Sequence, residues 1–164
     1  MTKSHLFLEQ LTRIADALEQ ISHKPAPLPD FNKTKGFLWE GETRSFIPVE
    51  EINHIASDFL IGIEPQKQKL LANSESFAKN LPANNALLWG ARGMGKSSLV
   101  KAIHHELTEN ENYKDLKLIE ILREDIITLN DCLAVLKKQP FHFILFCDDL
   151  SFEPNDPSYK SLKA

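Results

Sequence analysis

The sequence predicts an α/β fold, a mainly parallel three-layer sheet built around a glycine-rich loop. Apolar runs of strand length alternate with segments of helical periodicity from residue 86 onward. Gly90-Ala91-Arg92-Gly93-Met94-Gly95-Lys96-Ser97 satisfies the spacing G-x-x-x-x-G-K-[ST]. Residues 141–147 carry apolar side chains on both faces, the signature of a strand inside a covered, parallel sheet.

The composition is that of a globular chain: 164 residues, 42% hydrophobic and 26% charged, long enough for one domain and an extension. With 19 Lys+Arg against 23 Asp+Glu the net charge is −4, so no global basic field exists to hold nucleic acid or an anionic membrane. Cys132 and Cys147 make neither a disulfide framework nor a metal-spaced pair. The longest apolar run, residues 141–147, is far shorter than the roughly 20 residues of a membrane span. Glu9, Asp16 and Glu19 interrupt the N-terminal segment, unlike a secretion or transit signal. The expectation is a reduced, cytoplasmic protein.

Residues 1–30 form the first unit. Phe7, Leu11, Ile14, Leu18 and Ile21 recur at helical spacing behind Ser4 as N-cap, predicting an amphipathic helix over residues 4–21. Its apolar stripe packs either on its own domain or on another molecule. Pro25, Pro27 and Pro29 then make a linker by removing amide donors and fixing backbone angles.

Residues 31–85 lead into the core. Apolar residues around a Gly41-centred turn predict a hairpin over residues 37–49, with Pro48 restricting its second strand to a sheet edge. Trp39 is either packing or a platform for a base, and is not assigned to a site. Residues 50–59 and 64–79 read as helices. The third unit, residues 86–164, is the phosphate-loop core: strands at 86–89, 116–122 and 141–147, and helices beginning near Lys96 and over 129–138.

The loop's fixed positions follow from wrapping a chain around an anion. Gly90, Gly93 and Gly95 can take backbone angles closed to other residues, turning consecutive amides inward onto phosphate. Lys96 brings a charge to the β- and γ-phosphates, and the Ser97 hydroxyl is a ligand for the Mg²⁺ that bridges them. The helix that follows, through Ser98, points its positive end at the same place. Arg92 either contacts phosphate or faces solvent. The second half of such a site is an apolar strand ending in acid, here Phe146-Cys147-Asp148-Asp149. Asp148 would position the metal, and Asp149 would polarise the attacking water as general base.

At these two motifs the chain resembles an AAA+ ATPase. More narrowly, four runs resemble a bacterial family of predicted AAA+ ATPases known as domain of unknown function 815. They are Phe59-Leu60-Ile61-Gly62-Ile63, Asn84-Asn85-Ala86-Leu87-Leu88-Trp89-Gly90, Gly93 to Ala102, and Phe146-Cys147-Asp148-Asp149-Leu150-Ser151-Phe152-Glu153. The likeness runs from about Phe37 to the end of the chain. It implies ATP as the nucleotide, with Mg²⁺, and it makes Ile61, Gly62 and Ile63 either contacts for the adenine or residues that seal the core. Most AAA+ proteins have Glu where Asp149 stands, one methylene longer.

AAA+ domains carry strands in the order 5-1-4-3-2 and a helical lid, whereas this chain stops at Ala164, soon after the third predicted strand. The resemblance therefore implies a core incomplete at the C-terminus, without strands four and five, the sensor residues or an arginine finger. That is the expectation for a truncated or interrupted ATPase, or for a short protein completed by a partner or by homo-oligomerisation. Three functions stay open: an ATPase, a nucleotide-dependent binding switch without turnover, and a non-functional fragment.

Other chemistries find no support. His104-His105-Glu106 lacks the H-E-x-x-H spacing of a zinc site and reads as surface histidines, and no Gly-x-Ser-x-Gly elbow occurs. The lysines form no stripe interleaved with aromatics, so nothing points to nucleic acid.

Overall fold

Phe37 and Trp39 alternate inward along β1 (Gly36–Glu40), which pairs antiparallel with β2 (Ser45–Val49), Phe37 opposite Pro48 and Trp39 opposite Phe46. The structure, a computed structural model, describes residues 10–14, 27–148 and 150. The hairpin is as the sequence predicts, and β2 is an outer strand of a sheet in the order β2-β1-β3-β4, where a residue without an amide hydrogen is tolerated. β3 (Leu116–Ile121) runs parallel to β1, and β4 (His142–Phe146) parallel to β3.

Alternation along β3 divides the core into two layers. Leu116 faces α2 (Lys96–Thr108), whose Leu99, Ala102, Ile103 and Leu107 cover one side of the sheet. Leu70, Leu71 and Phe77 of α1 (Glu64–Ala78) pack onto that cluster. Ile119 and Ile121 face the other side, where Phe31, Phe37, Trp39 and Phe46 meet Ile126, and Cys132 and Leu136 of α3 (Leu129–Leu136). Helices thus cover both faces, as expected of a three-layer α/β fold. The sheet, however, is mixed rather than wholly parallel. Trp39 is packing: it is fully buried, its ring lies 4.8 Å from Phe46, and its Nε1–H donates to Thr128 Oγ1 at 2.8 Å.

Two predicted elements are corrected. Residues 86–89 are not a strand: they form no ladder, and Leu87 and Trp89 are 76% and 88% exposed. An apolar run records a capacity for burial, but a strand exists only where a neighbour supplies hydrogen bonds, and no described residue does so here. Residues 50–56 are not helical, and only a 3₁₀ turn, Ser57–Phe59, follows. Their Ile55 and Phe59 are exposed, so the helical stripe finds no face to cover; the segment is pinned instead by Ser57, which donates to Glu106 at 2.9 Å, and by His54, stacked on His105 at 3.6 Å. A 3₁₀ segment, Arg123–Thr128, leads into α3. The predicted helix over 4–21 lies largely outside the described residues; residues 10–14 are helical, with Leu11 and Ile14 exposed. No helix among the described residues is long and apolar enough to cross a membrane.

His104 is a further correction, because it is buried rather than on the surface, while its neighbour His105 is half-buried. Adjacent helical positions point about 100° apart, which turns His104 inward toward β3. Its Nε2 lies 3.2 Å from the Leu116 carbonyl, to which the ring donates. Burial outweighs that bond and pushes its pKa down to about 4 from 6.5. The unfolded chain therefore binds the extra proton first. This contribution to stability is complete above about pH 6.5 and is lost as pH falls toward 4, by about 3 kcal/mol at full burial. Urea midpoints at pH 7 and pH 4.5 will show the loss, and His104→Leu will flatten that slope; an equal slope in the variant would assign the acid sensitivity elsewhere.

Candidate functional site

α2 runs antiparallel to β3, with His104 beside Leu116 at the start of the strand and Lys101 Nζ 3.0 Å from Glu120 Oε2 near its end. That direction places the N-terminus of α2 at the carboxyl ends of the parallel strands, where open α/β sheets bind ligands. The loop of residues 90–95 arrives there from residues 86–89, of which Leu87 and Trp89 are exposed.

Each loop glycine takes a positive φ: Gly90 143°, Gly93 80° and Gly95 77°. Gly95 is the N-cap of α2, its left-handed backbone starting the helix while its carbonyl accepts from the Leu99 amide at 2.8 Å. A Cβ on Gly95 would meet Leu60 Cδ2 at 3.4 Å, so the buried Leu60 braces the loop from behind. Among the described residues nothing stands within 4 Å of the corresponding positions at Gly90 and Gly93, so none of them blocks an incoming group there.

Lys96 curls back over the loop, its Nζ donating to the carbonyls of Gly90 at 3.1 Å and Ala91 at 3.0 Å. Ser97 Oγ donates to Asp148 Oδ2 at 2.5 Å, joining the start of α2 to the end of β4 across 51 residues of sequence. The two predicted metal ligands are thus brought together. Ala91, Arg92 and Met94 are exposed on the loop and Ser98 is half-buried in the first turn of α2. Ile61 is 85% exposed beside Leu60, Gly62 has φ 83°, and Ile63 is the N-cap of α1 and packs on the α2 cluster. Sealing the core therefore describes Ile63 but not Ile61. Asp149 lies outside the described residues.

Two supporting residues lie in the quoted runs without having been assigned to the site. Leu60 is one. Lys101 is the other: besides pairing with Glu120, its Nζ lies 5.9 Å from the Phe146 ring, tying α2 to both strands that end at the site. Their signal is positional, since Lys101 lies four residues beyond Ser97 on the helix. The Cys147 thiol, next to Asp148, is pushed up to about 11 by burial and then by the Asp148 charge, so it stays protonated at neutral pH.

The residues fit a metal–phosphate group. Among the described residues no three or more His, Cys, Asp and Glu side chains converge. Mg²⁺ suits such a sparse site, because it is commonly held by one or two carboxylates with phosphate oxygens and water completing the shell.

A family model described as "Protein of unknown function (DUF815)" matches residues 32–164. No curated protein and no solved structure matches the chain.

Proposed function

This chain belongs to the DUF815 family of proteins of unknown function, and we propose that it binds Mg-ATP through residues 90–97, with hydrolysis of AAA+ type where a partner completes the site. The meeting of Ser97 with Asp148 carries this reading: a hydroxyl at the start of a glycine-loop helix and a carboxylate at the end of an apolar strand lie in one place. A hydroxyl–carboxylate bond can be exchanged for shared coordination of a cation.

In this reading the amides of residues 91–96 and the start of α2 hold phosphate oxygens. Lys96 leaves the carbonyls of Gly90 and Ala91 for the β- and γ-phosphates. Ser97 and Asp148 would hold Mg²⁺, which supplies charge neutralisation of the phosphates. Asp149 would orient and deprotonate the attacking water. Ile61 and Gly62, exposed next to Leu60, would cover the adenine. The AAA+ resemblance puts the arginine that stabilises transition-state charge on a neighbouring molecule, in a homo-oligomer or a completing partner. A switch without turnover is the second reading, favoured by the shorter Asp at position 149.

Titration calorimetry with ATP, in Mg²⁺ and in EDTA, tests the proposal. The expected result is saturable binding strengthened by Mg²⁺, with Asp148→Asn losing that strengthening by about tenfold while binding in EDTA is retained. Phosphate release in the same samples separates ATPase from switch. Absence of binding by the folded chain would overturn the assignment.

A further inference from the structure

Residues 50–60 run from the end of β2 to the loop of residues 90–95 and are fastened at three points on the way. Ile52 lies against Gly36 of β1, so closely that a Cβ on Gly36 would meet its Cγ1 at 2.6 Å. His54 stacks on His105 of α2, the ring centroids 3.6 Å apart and the planes 25° from parallel. Ser57 Oγ donates to Glu106 Oε2 at 2.9 Å. The segment ends at Leu60, whose Cδ2 would lie 3.4 Å from a Cβ on Gly95. A strap from the outer strand thus reaches the glycine that starts α2, and its middle fastening is a pair of imidazoles.

Histidine is the side chain whose charge ordinarily changes between pH 5 and 8. Two neutral rings, or one neutral and one charged, can stack, whereas two imidazolium charges at this separation repel. His54 Nδ1 lies 3.1 Å from the Ile52 carbonyl and donates to it. His105 Nδ1 lies 4.0 Å from Glu109 Oε1, but that carboxylate also meets Lys35 Nζ at 3.4 Å, so it does not balance two imidazolium charges. The other titratable groups around the stack are engaged as well: His104 on the Leu116 carbonyl, Glu106 on Ser57, and Asp58 of the strap with Lys67 of α1 at 3.6 Å.

We propose that the His54–His105 stack is a proton-operated latch on the loop, holding residues 52–60 against α2 while at most one ring is charged and releasing them, with Leu60, when both are. Acidification below about pH 6 then removes the brace behind Gly95 and weakens nucleotide binding. That second step rests on the proposed binding of Mg-ATP; release of the strap does not.

Nuclear Overhauser spectra of the full chain at about pH 7.5 and 5.5 read the latch directly. The contact between the Leu60 methyls and the Gly95 α-protons is expected to lose at least about half its intensity on acidification, and to keep it in His54→Phe, which offers a ring for stacking but takes no proton. His104, its pKa pushed down to about 4, is common to both chains and cancels in the comparison. The Trp39–Phe46 contact in the same spectra reports the intact fold. Over the same range Mg-ATP affinity is expected to fall at least about threefold further in the unaltered chain than in His54→Phe. A Leu60–Gly95 contact that survives acidification, or is lost equally in His54→Phe, overturns the proposal. So does parallel loss of the Trp39–Phe46 contact, which means unfolding rather than release. Where His54→Phe lacks that contact at the higher pH, His105→Phe makes the same comparison. Release without the extra loss of affinity overturns control of the loop. Absence of nucleotide binding at the higher pH overturns the proposed function instead, and the Leu60–Gly95 contact alone then decides the latch.

Discussion

Replacing Lys96 by alanine is expected to weaken binding of Mg-ATP by about tenfold to a few hundredfold, the equivalent of losing a charged hydrogen-bond donor. The physical ground is the present position of its ammonium group, at hydrogen-bonding distance from the carbonyls of Gly90 and Ala91 on an exposed loop. Those bonds close the loop on itself, and they are of the kind a phosphate oxygen replaces with profit, because an anion attracts the ammonium more strongly than a neutral carbonyl does. The same exposure predicts little effect on folding. Thermal unfolding should shift by no more than a few degrees, so lost affinity reports the site rather than the fold. Calorimetry and a melting curve on one preparation check both parts. Undiminished affinity in a folded Lys96→Ala chain would remove residues 90–97 from the binding of nucleotide.

The largest effect on stability is expected at Trp39. Trp39→Ala should cost about 3–5 kcal/mol, a large share of the roughly 5–15 kcal/mol by which domains are stable. Its ring is fully buried among Phe37, Phe46 and Ile126, and its indole N–H satisfies Thr128 Oγ1, whose own hydrogen goes to the Asp125 carbonyl at 2.8 Å. The residue therefore joins the hairpin to the 3₁₀ segment ahead of α3. Trp39→Phe separates the contributions: it retains most of the apolar volume and drops the donor, for an expected loss of about 1–3 kcal/mol. Urea unfolding followed by far-ultraviolet circular dichroism measures both variants. A cost below about 1 kcal/mol for the alanine would show that the cluster collapses around the gap and that Trp39 is not its keystone.

Much of the site was legible because its requirements are local. Glycine at 90, 93 and 95 states where the backbone must turn to positive φ, and all three residues do so. Lys96 and Ser97 follow from their place at the start of a helix, which begins at Lys96. The hairpin was legible for the same reason, with Pro48 on an outer strand as its missing amide demands. Histidine 104 was misread because it is polar, and residue type alone does not say that a neighbouring carbonyl waits inside; Leu116 O belongs to a strand twelve residues away.

By itself, then, the sequence determined the loop, helices α1, α2 and α3, the hairpin, and the positions of β3 and β4. Tertiary structure alone decided what depends on a distant partner. It brought Ser97 to Asp148, set Leu60 behind Gly95, stacked His54 on His105 where a helix was expected, and left residues 86–89 without a ladder. The reason is one of range. A helix or a glycine turn satisfies its backbone from its own neighbours, whereas a strand's apolar pattern states only which side chains seek burial, and the backbone that must lie beside it comes from elsewhere in the fold.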